Sequence, residues 1–216
     1  MQLYLNDTSP FSRVVAATAL LSRCAPLSFH WVDPWRSPAA LKNINPFCLI
    51  PALTLEDGTT LSESLCICQY LIETYQPLGL RQIAFRQAHE VKQLGTAKTL
   101  MEIAFRTAAL GRYTDCDNVL IQRGQEGMVA ALKQLNQDIE NDGLEAHIAP
   151  NLATLYLHVA LDYVVFRHGA VFSEHEHHAL VELMRLSPYN HLLSQISIQA
   201  LANQPDYTQL LTDLVQ

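Results

Sequence analysis

Ile50-Pro51-Ala52-Leu53-Thr54-Leu55-Glu56-Asp57-Gly58-Thr59-Thr60-Leu61-Ser62-Glu63-Ser64 reads as a strand, a tight turn, a returning strand and the start of a helix. Pro51 to Leu55 is the first strand of this set. Proline has no N–H for a ladder, so Pro51 belongs at an edge or a special turn. Asp57-Gly58 is a hairpin signal, because that pair tolerates the positive φ of a tight turn. Thr60-Leu61 resumes as a strand, and Ser62 is placed to cap a helix running to about Tyr75.

Upstream, strand and helix alternate. Leu3 and Leu5 sit between polar neighbours, as in a short strand. From Ser12 to about Arg23, Val14, Val15, Ala17, Thr18 and Leu21 recur at helical spacing. Leu27, Phe29 and Trp31 alternate again. Ser37-Pro38 reads as a cap followed by proline in the first helical position, opening a short helix through Ile44. The order is βαβ, a helix, then ββα. A βαβ unit favours parallel, right-handed pairing, and the Asp-Gly hairpin adds an antiparallel strand. A small mixed sheet flanked by helices is expected over residues 1–76.

Gln76-Pro77-Leu78-Gly79 interrupts the pattern, and a linker is expected over 77–83. The rest, 84–216, is helical in character. A long helix runs from Arg81 to about Leu110, with Gly111 as its stop. Asp117 is placed to cap a helix reaching Asn141-Asp142-Gly143. Pro150-Asn151 opens an apolar helix, Leu152 to Phe166. Ser173 starts another through Leu186, and Ser187-Pro188 a last one ending before Gln204-Pro205. No internal repeat or low-complexity segment is present.

Composition narrows the function. The 216 residues carry 14 Lys+Arg against 21 Asp+Glu, a formal net charge of -7. Such a surface repels phosphate backbones, and no basic run offsets it, so nucleic acid is not an expected partner. No apolar stretch reaches the roughly 18 residues of a membrane span. Met1 to Asp7 shows no basic n-region or cleavage-like site, so a cytoplasmic protein is expected. The five cysteines form no CxxC and no zinc spacing, which suits a reducing compartment.

Three motifs carry chemistry. Thr8-Ser9-Pro10-Phe11-Ser12-Arg13 lies where the first strand meets the first helix. A helix N-terminus has unpaired N–H groups and a partial positive charge, so it favours an anion. A serine hydroxyl there can donate to a thiolate. Lowering a thiol pKa from about 8.5 by about two units takes roughly 2.7 kcal/mol. The helix end supplies up to ~1–2 kcal/mol and a charge-assisted hydrogen bond about 1.5–3, which together suffice. The plainer reading is that Ser9 or Ser12 is only an N-cap. The second motif is Asn45-Pro46 followed by Ile50-Pro51. A cis bond there would turn the neighbouring backbone groups outward, ready to pair with a peptide-like ligand; an ordinary trans turn is the alternative. The third is Leu61-Ser62-Glu63-Ser64. Ser64 with free N–H groups suits a carboxylate, and Glu63 suits an ammonium, so the two match an α-amino acid end. The alternative is a plainly capped helix with Glu in its first turn.

Ser-Pro-Phe-x-Arg, then Asn-Pro-x-x-x-Ile-Pro-Ala-Leu, then Asp-Gly-Thr-x-Leu-x-Glu-Ser, in this order and spacing, resembles the N-terminal domain of bacterial glutathione S-transferases. A weaker likeness continues at Val159-Ala160-Leu161-Asp162-Tyr163-Val164 with Arg167, and at Gln204-Pro205-Asp206-Tyr207. The resemblance implies a thioredoxin-like βαβαββα domain followed by an all-helical domain. It implies glutathione as co-substrate, a small hydrophobic electrophile, no metal, and a homodimer. Ser9, with Ser12 as alternate, would hydrogen-bond the glutathione sulfur. Ile50 would pair with the cysteinyl backbone before a cis Pro51, and Glu63 and Ser64 would hold the γ-glutamyl end. Ser9-Pro10-Phe11-Ser12 also resembles the glutaredoxin Cys-Pro-x-Cys with both sulfurs replaced, which removes dithiol exchange.

Some residues depart from the family's pattern. Cys48-Leu49 stands where Gly-Lys or Gly-Gln is usual, so a partner for the glycyl carboxylate is missing. Asn151 and Thr154 replace the usual Ser/Thr-x-x-Asp cap, which removes the reciprocal carboxylate. Val14 follows Arg13 where Lys is more frequent. These departures keep open a non-catalytic binding or regulatory protein of the same fold. A thiol–disulfide oxidoreductase would need Cys48 near the first helix. Ser173-Glu174-His175-Glu176-His177-His178 offers only Glu174 and His178 at the i, i+4 spacing of a metal pair, with no third ligand, and reads as a solvated helix start. Cys66 and Cys68, two apart on a helix, face different directions. Met101, Phe105 and Tyr113 are candidates to line a cleft, with core packing the alternative for the first two.

Overall fold

The structure is a computed structural model that describes residues 1–114 and 118–214. The chain divides into two compact units: Met1–Gln82 together with the segment from His191 onward, and Ile83–Asn190. The first unit is built on β1 (Gln2–Leu5), α1 (Pro10–Leu21), β2 (Ser28–Trp31), α2 (Ala39–Ile44), β3 (Ala52–Thr54), β4 (Thr60–Ser62) and α3 (Ser64–Tyr75). The sheet order is β2-β1-β3-β4. β1 runs parallel to β2 and antiparallel to β3, and β3 is antiparallel to β4, as the βαβ and hairpin signals require. Leu3 stands between Phe29 and Leu53 in this register and is fully buried. At the hairpin Gly58 has φ 86°, and Asp57 accepts from the Thr59 N–H at 2.9 Å. The short polar side chain thus stands in for a backbone partner and fixes the turn.

The starts of three helices differ from the sequence expectation. Helix α1 begins at Pro10, because Ser9 supplies the cap. Ser37 does not cap α2; it ends a 3-10 turn, Pro34–Arg36, with φ 49°. Pro38 is the N-cap of α2, without a side-chain hydrogen bond. Ser62 stays in β4 opposite Ala52, and Glu63 caps α3 instead. For Ser37 and Ser62 an adjacent turn or strand pairing claimed the serine first.

The second unit contains α4 (Ala88–Leu110), α5 (Val119–Asp142), α6 (Leu152–His168) and α7 (His178–Leu186). Every residue from Leu152 to Leu161 is buried, so α6 forms the centre, packed along α4. A helix apolar on all sides belongs in such a position. Asn151 caps α6 by accepting from the Thr154 N–H at 3.0 Å. No carboxylate reciprocates. Instead the Thr154 hydroxyl donates to the His147 carbonyl at 3.1 Å, and the Gln93 amide of α4 donates to the same carbonyl at 3.1 Å. Helix α4 starts seven residues later than expected, because Glu90 turns back and accepts from the Ala84 N–H at 2.7 Å. The expected cap Asp117 lies outside the described residues; Asn118 accepts from the Leu120 N–H at 2.9 Å. Ser173 forms a turn by accepting from the Glu176 N–H, and α7 starts at His178. Its first N–H groups, of Ala179 and Leu180, are satisfied by Asn136 from α5.

The expected last helix is broken into α8 (Asn190–Gln195) and α9 (Ile198–Leu201), and α10 (Tyr207–Asp213) follows. The segment from His191 onward completes the first unit through two ties to α1. Arg13, only 5% exposed, donates from Nε to the Ile196 carbonyl at 2.9 Å and from Nη2 to the Leu193 carbonyl at 2.6 Å. The Tyr207 hydroxyl donates to the Ala19 carbonyl at 2.9 Å, and its ring meets Phe29 edge-on at 5.3 Å. Helix α1 is therefore buried around almost its whole circumference.

Candidate functional site

The register gathers the three motifs at one end of the sheet. Tyr4 pairs with Ala52, and Ala52 pairs with Ser62. The C-terminal end of β1, the start of β3 and the C-terminal end of β4 therefore lie side by side. Ser9 follows β1, Ile50-Pro51 precedes β3, and Glu63-Ser64 follows β4. Helices α1 and α3 both begin at this end, each with 12 residues. Two sets of unpaired N–H groups and two positive dipole ends thus share one rim, which favours negative charge there.

Ser9 is 8% exposed and caps α1: its Oγ accepts from the Ser12 N–H at 3.1 Å. Its own N–H donates to Asn6 Oδ1 at 2.8 Å, which pins the turn between β1 and α1. Capping uses a lone pair of the hydroxyl, and its proton stays available to donate. Capping and donation are thus compatible in one residue. Ser12 is fully buried, and its Oγ has no hydrogen-bond partner among the described residues.

The loop before β3 is held by Asn45, itself buried. Its Nδ2 donates to the Leu49 carbonyl at 2.9 Å and its Oδ1 accepts from the Phe47 N–H at 3.2 Å. Cys48 turns the chain with φ 52°, and its N–H donates to the Asn45 carbonyl at 2.8 Å. The Ile50-Pro51 peptide is cis. Leu49 is 61% exposed. Sequence reasoning named Asn45 only as part of the Asn-Pro pair; its role as a clamp needs both ends of the loop in view.

Glu63 has φ 70° and ψ 117°, a conformation outside the regions that side chains favour. Its Oε2 accepts from the Leu65 N–H at 3.0 Å, so the carboxylate lies across the first turn of α3. Ser64, 2% exposed, is the first residue of that helix. A carboxylate has two oxygens and about four acceptor positions, so capping one N–H does not exhaust it.

The other flagged residues fall elsewhere. Cys66 is exposed, whereas Cys68 is buried under α1 with its sulfur 3.2 Å from Thr18 Oγ1. Cys24 is buried, and burial pushes its thiol up to about 12. Cys116 lies outside the described residues. Met101 is fully buried, Phe105 half-buried and Tyr113 exposed. His178 stands 3.1 Å from Glu140 of α5. Among the described residues, no three His, Cys, Asp or Glu side chains are grouped to hold a metal ion. No described helix is long and apolar enough to cross a membrane.

A parallel βαβ joined to an antiparallel ββα in the order β2-β1-β3-β4 is the thioredoxin-like fold, here with a helical unit inserted before its last segment. Residues 3–79 match the family model described as the glutathione S-transferase N-terminal domain. The whole chain has the glutathione S-transferase fold, and residues 3–79 are similar to that family's N-terminal domain. It is similar to a glutathione transferase family member from Pseudomonas fluorescens with bound glutathione: identity is 21%, TM-score 0.74, and 93% of this chain and 97% of that chain are covered. A glutathione S-transferase from Methylobacillus flagellatus, also with glutathione bound, is 20% identical with TM-score 0.71 over 88% of this chain and 97% of that one. One from Methylobacterium radiotolerans, in complex with glutathione sulfonate, is 16% identical with TM-score 0.74 over 93% of each. No curated protein sequence matches this chain.

Proposed function

We propose that the protein binds glutathione at this rim and transfers it to a small hydrophobic electrophile, with Ser9 as the donor to the thiolate. The observation that carries the reading is the Ser9 hydroxyl at the N-terminus of α1, which accepts from the Ser12 N–H and keeps its own proton to donate. The thiolate sulfur attacks an electrophilic carbon; the C–S bond forms as the bond to the leaving halide breaks, and the halide departs with the electron pair. Ser9 and the end of α1 favour the thiolate before attack. In this reading Ile50 meets the cysteinyl backbone, while Glu63 and Ser64 receive the γ-glutamyl ammonium and carboxylate. The unusual backbone of Glu63 fits such a role, since conformations costing ~1–3 kcal/mol cluster at ligand clamps.

Turnover of glutathione with 1-chloro-2,4-dinitrobenzene tests it. Loss of a charge-assisted hydrogen bond of about 1.5–3 kcal/mol predicts a roughly 10- to 100-fold lower kcat/KM in Ser9→Ala near neutral pH. The pH profile should move up by about 1–2 units. Unchanged turnover removes Ser9 from the role, and a loss confined to Ser12→Ala transfers it to the alternate. A second reading, a non-catalytic binding protein of this fold, is favoured by the exposed Leu49 where a cation would meet the glycyl carboxylate. Retention on immobilised glutathione separates the two, because failure to bind supports the second.

A further inference from the structure

We infer that Asn6 is a positioning residue for Ser9: its side-chain oxygen fixes the backbone ahead of Ser9 and so aims the hydroxyl. The role rests on the function proposed above. The Ser9 N–H donates to Asn6 Oδ1 at 2.8 Å. The partner is an N–H, so the oxygen of the amide is the atom that faces it. Both residues belong to the first compact unit.

The conformation of Ser9 shows what is left for Asn6 to set. On the helix side, the Ser9 carbonyl accepts from the Arg13 N–H at 3.0 Å and its Oγ from the Ser12 N–H at 3.1 Å. Pro10 opens α1, and a residue before proline is confined to an extended ψ; Ser9 has ψ 119°. Its φ, -77°, is the looser angle, free under that restriction to vary by about 40° either way. The helix holds the carbonyl side of this residue, and Asn6 holds the peptide plane on its nitrogen side. Fixing both planes fixes φ, and φ is the rotation that swings Cβ and Oγ.

Asn6 has a firm base from which to do this. It directly follows β1, whose last residue, Leu5, is fully buried. Leu5 pairs with Trp31, and its carbonyl accepts from the Val32 N–H at 3.0 Å. The bond from Ser9 to Asn6 spans the connection 6–9 and ties the cap of α1 to the sheet. The residue type fits as well. Asparagine accepts as aspartate does but adds no charge, and a carboxylate near a bound thiolate would raise the thiol pKa.

The consequence differs from that of losing Ser9. Without Asn6 the hydroxyl remains, but its direction is no longer set from both sides. Misplacement by ~1 Å can cost about 100-fold where a reaction depends on orientation, so a partial loss below that of Ser9→Ala follows. Ile50, Glu63 and Ser64 stand on other loops, so contacts to the rest of glutathione should survive.

A double-variant cycle on the full chain tests the role, using the same aryl halide and the ultraviolet absorbance of the bound thiolate. Asn6→Ala should raise the thiol pKa of bound glutathione by about 0.5–1 unit and lower kcat about 3- to 10-fold near neutral pH. KM for glutathione should stay within about twofold, because binding contacts are kept. Ser9→Ala combined with Asn6→Ala should be no slower than Ser9→Ala alone, since Asn6 acts through Ser9. Asn45→Ala, which loosens the loop before β3 instead, should raise KM and leave the thiol pKa in place. Should Asn6→Ala fail to fold by circular dichroism, Asn6→Leu, of similar volume and without the acceptor, carries the same expectation. Multiplying losses in the double variant, an unmoved thiol pKa in Asn6→Ala, or an equal rise in Asn45→Ala would each overturn the assignment. Ser9→Ala without effect defeats the proposed function and this role with it; a slow Ser9→Ala beside a normal Asn6→Ala defeats this role alone.

Discussion

Arg13→Met is the most informative single change for the architecture of the first unit. The side chain is 5% exposed and feeds at least two backbone carbonyls, those of Leu193 and Ile196. A hydrogen bond from a charged donor is worth about 1.5–3 kcal/mol, so the two represent ~3–6 kcal/mol of gross interaction. Methionine keeps the apolar stem and removes a guanidinium whose burial itself costs several kcal/mol. The difference leaves a net loss of about 2–3 kcal/mol, arising mainly from carbonyls left without donors. In a chain of this size each kcal/mol moves Tm by about 2–4 °C, so Tm should fall by roughly 4–12 °C. Arg13→Lys should lose about half as much, since one ammonium cannot reproduce a fork across two carbonyls. Thermal melts by circular dichroism, with urea titration as a second measure, read the effect. A methionine variant within ~0.5 kcal/mol of wild type would show that the carbonyls find other donors, and the reasoning would fail.

Two further perturbations probe the helical unit. Burial holds the His147 imidazole below its ordinary pKa, against the opposing pull of Asp142 and Asp138. The unfolded chain therefore takes up this proton first, and stability should be lost as pH falls from about 6.5 toward the lowered folded value. A His147→Gln variant should show a shallower fall of Tm across that window, and an unchanged slope would exclude His147 as the cause. Gly124 meets the Thr107 side chain so closely that a Cβ would collide with its hydroxyl. Gly124→Ala should cost about 1–3 kcal/mol despite alanine's better helix propensity, and Thr107→Ala in the same chain should recover most of it. Additive losses in urea melts would contradict the contact.

The sheet was legible because its signals are local. Asp57-Gly58 states its own turn, and alternation at Leu3 and Leu5 states its own strand. The rim was legible for the same reason, since Ser9, Ile50-Pro51 and Glu63-Ser64 each sit at an element boundary. What stayed hidden depends on partners distant in sequence. Ser37, Ser62 and Ser173 are good caps by composition, yet a turn or a ladder occupied each. Asn136 caps a helix more than forty residues away, a bond that no spacing rule anticipates. Helix α10 is short and weakly patterned, and its order follows from Tyr207 reaching Ala19.

The tie between Arg13 and the carbonyls of Leu193 and Ile196 also sets an order of events during synthesis. The opening helix emerges early from the ribosome, yet its cover is encoded after the entire Ile83–Asn190 stretch. Arg13 and Leu193 are 180 residues apart, so at about 5–20 residues per second that wait is roughly 9–36 s. Throughout it the Arg13 guanidinium lacks the Leu193 and Ile196 carbonyls that receive it in the folded protein, and the flank of the helix that Tyr207 later covers stays bare.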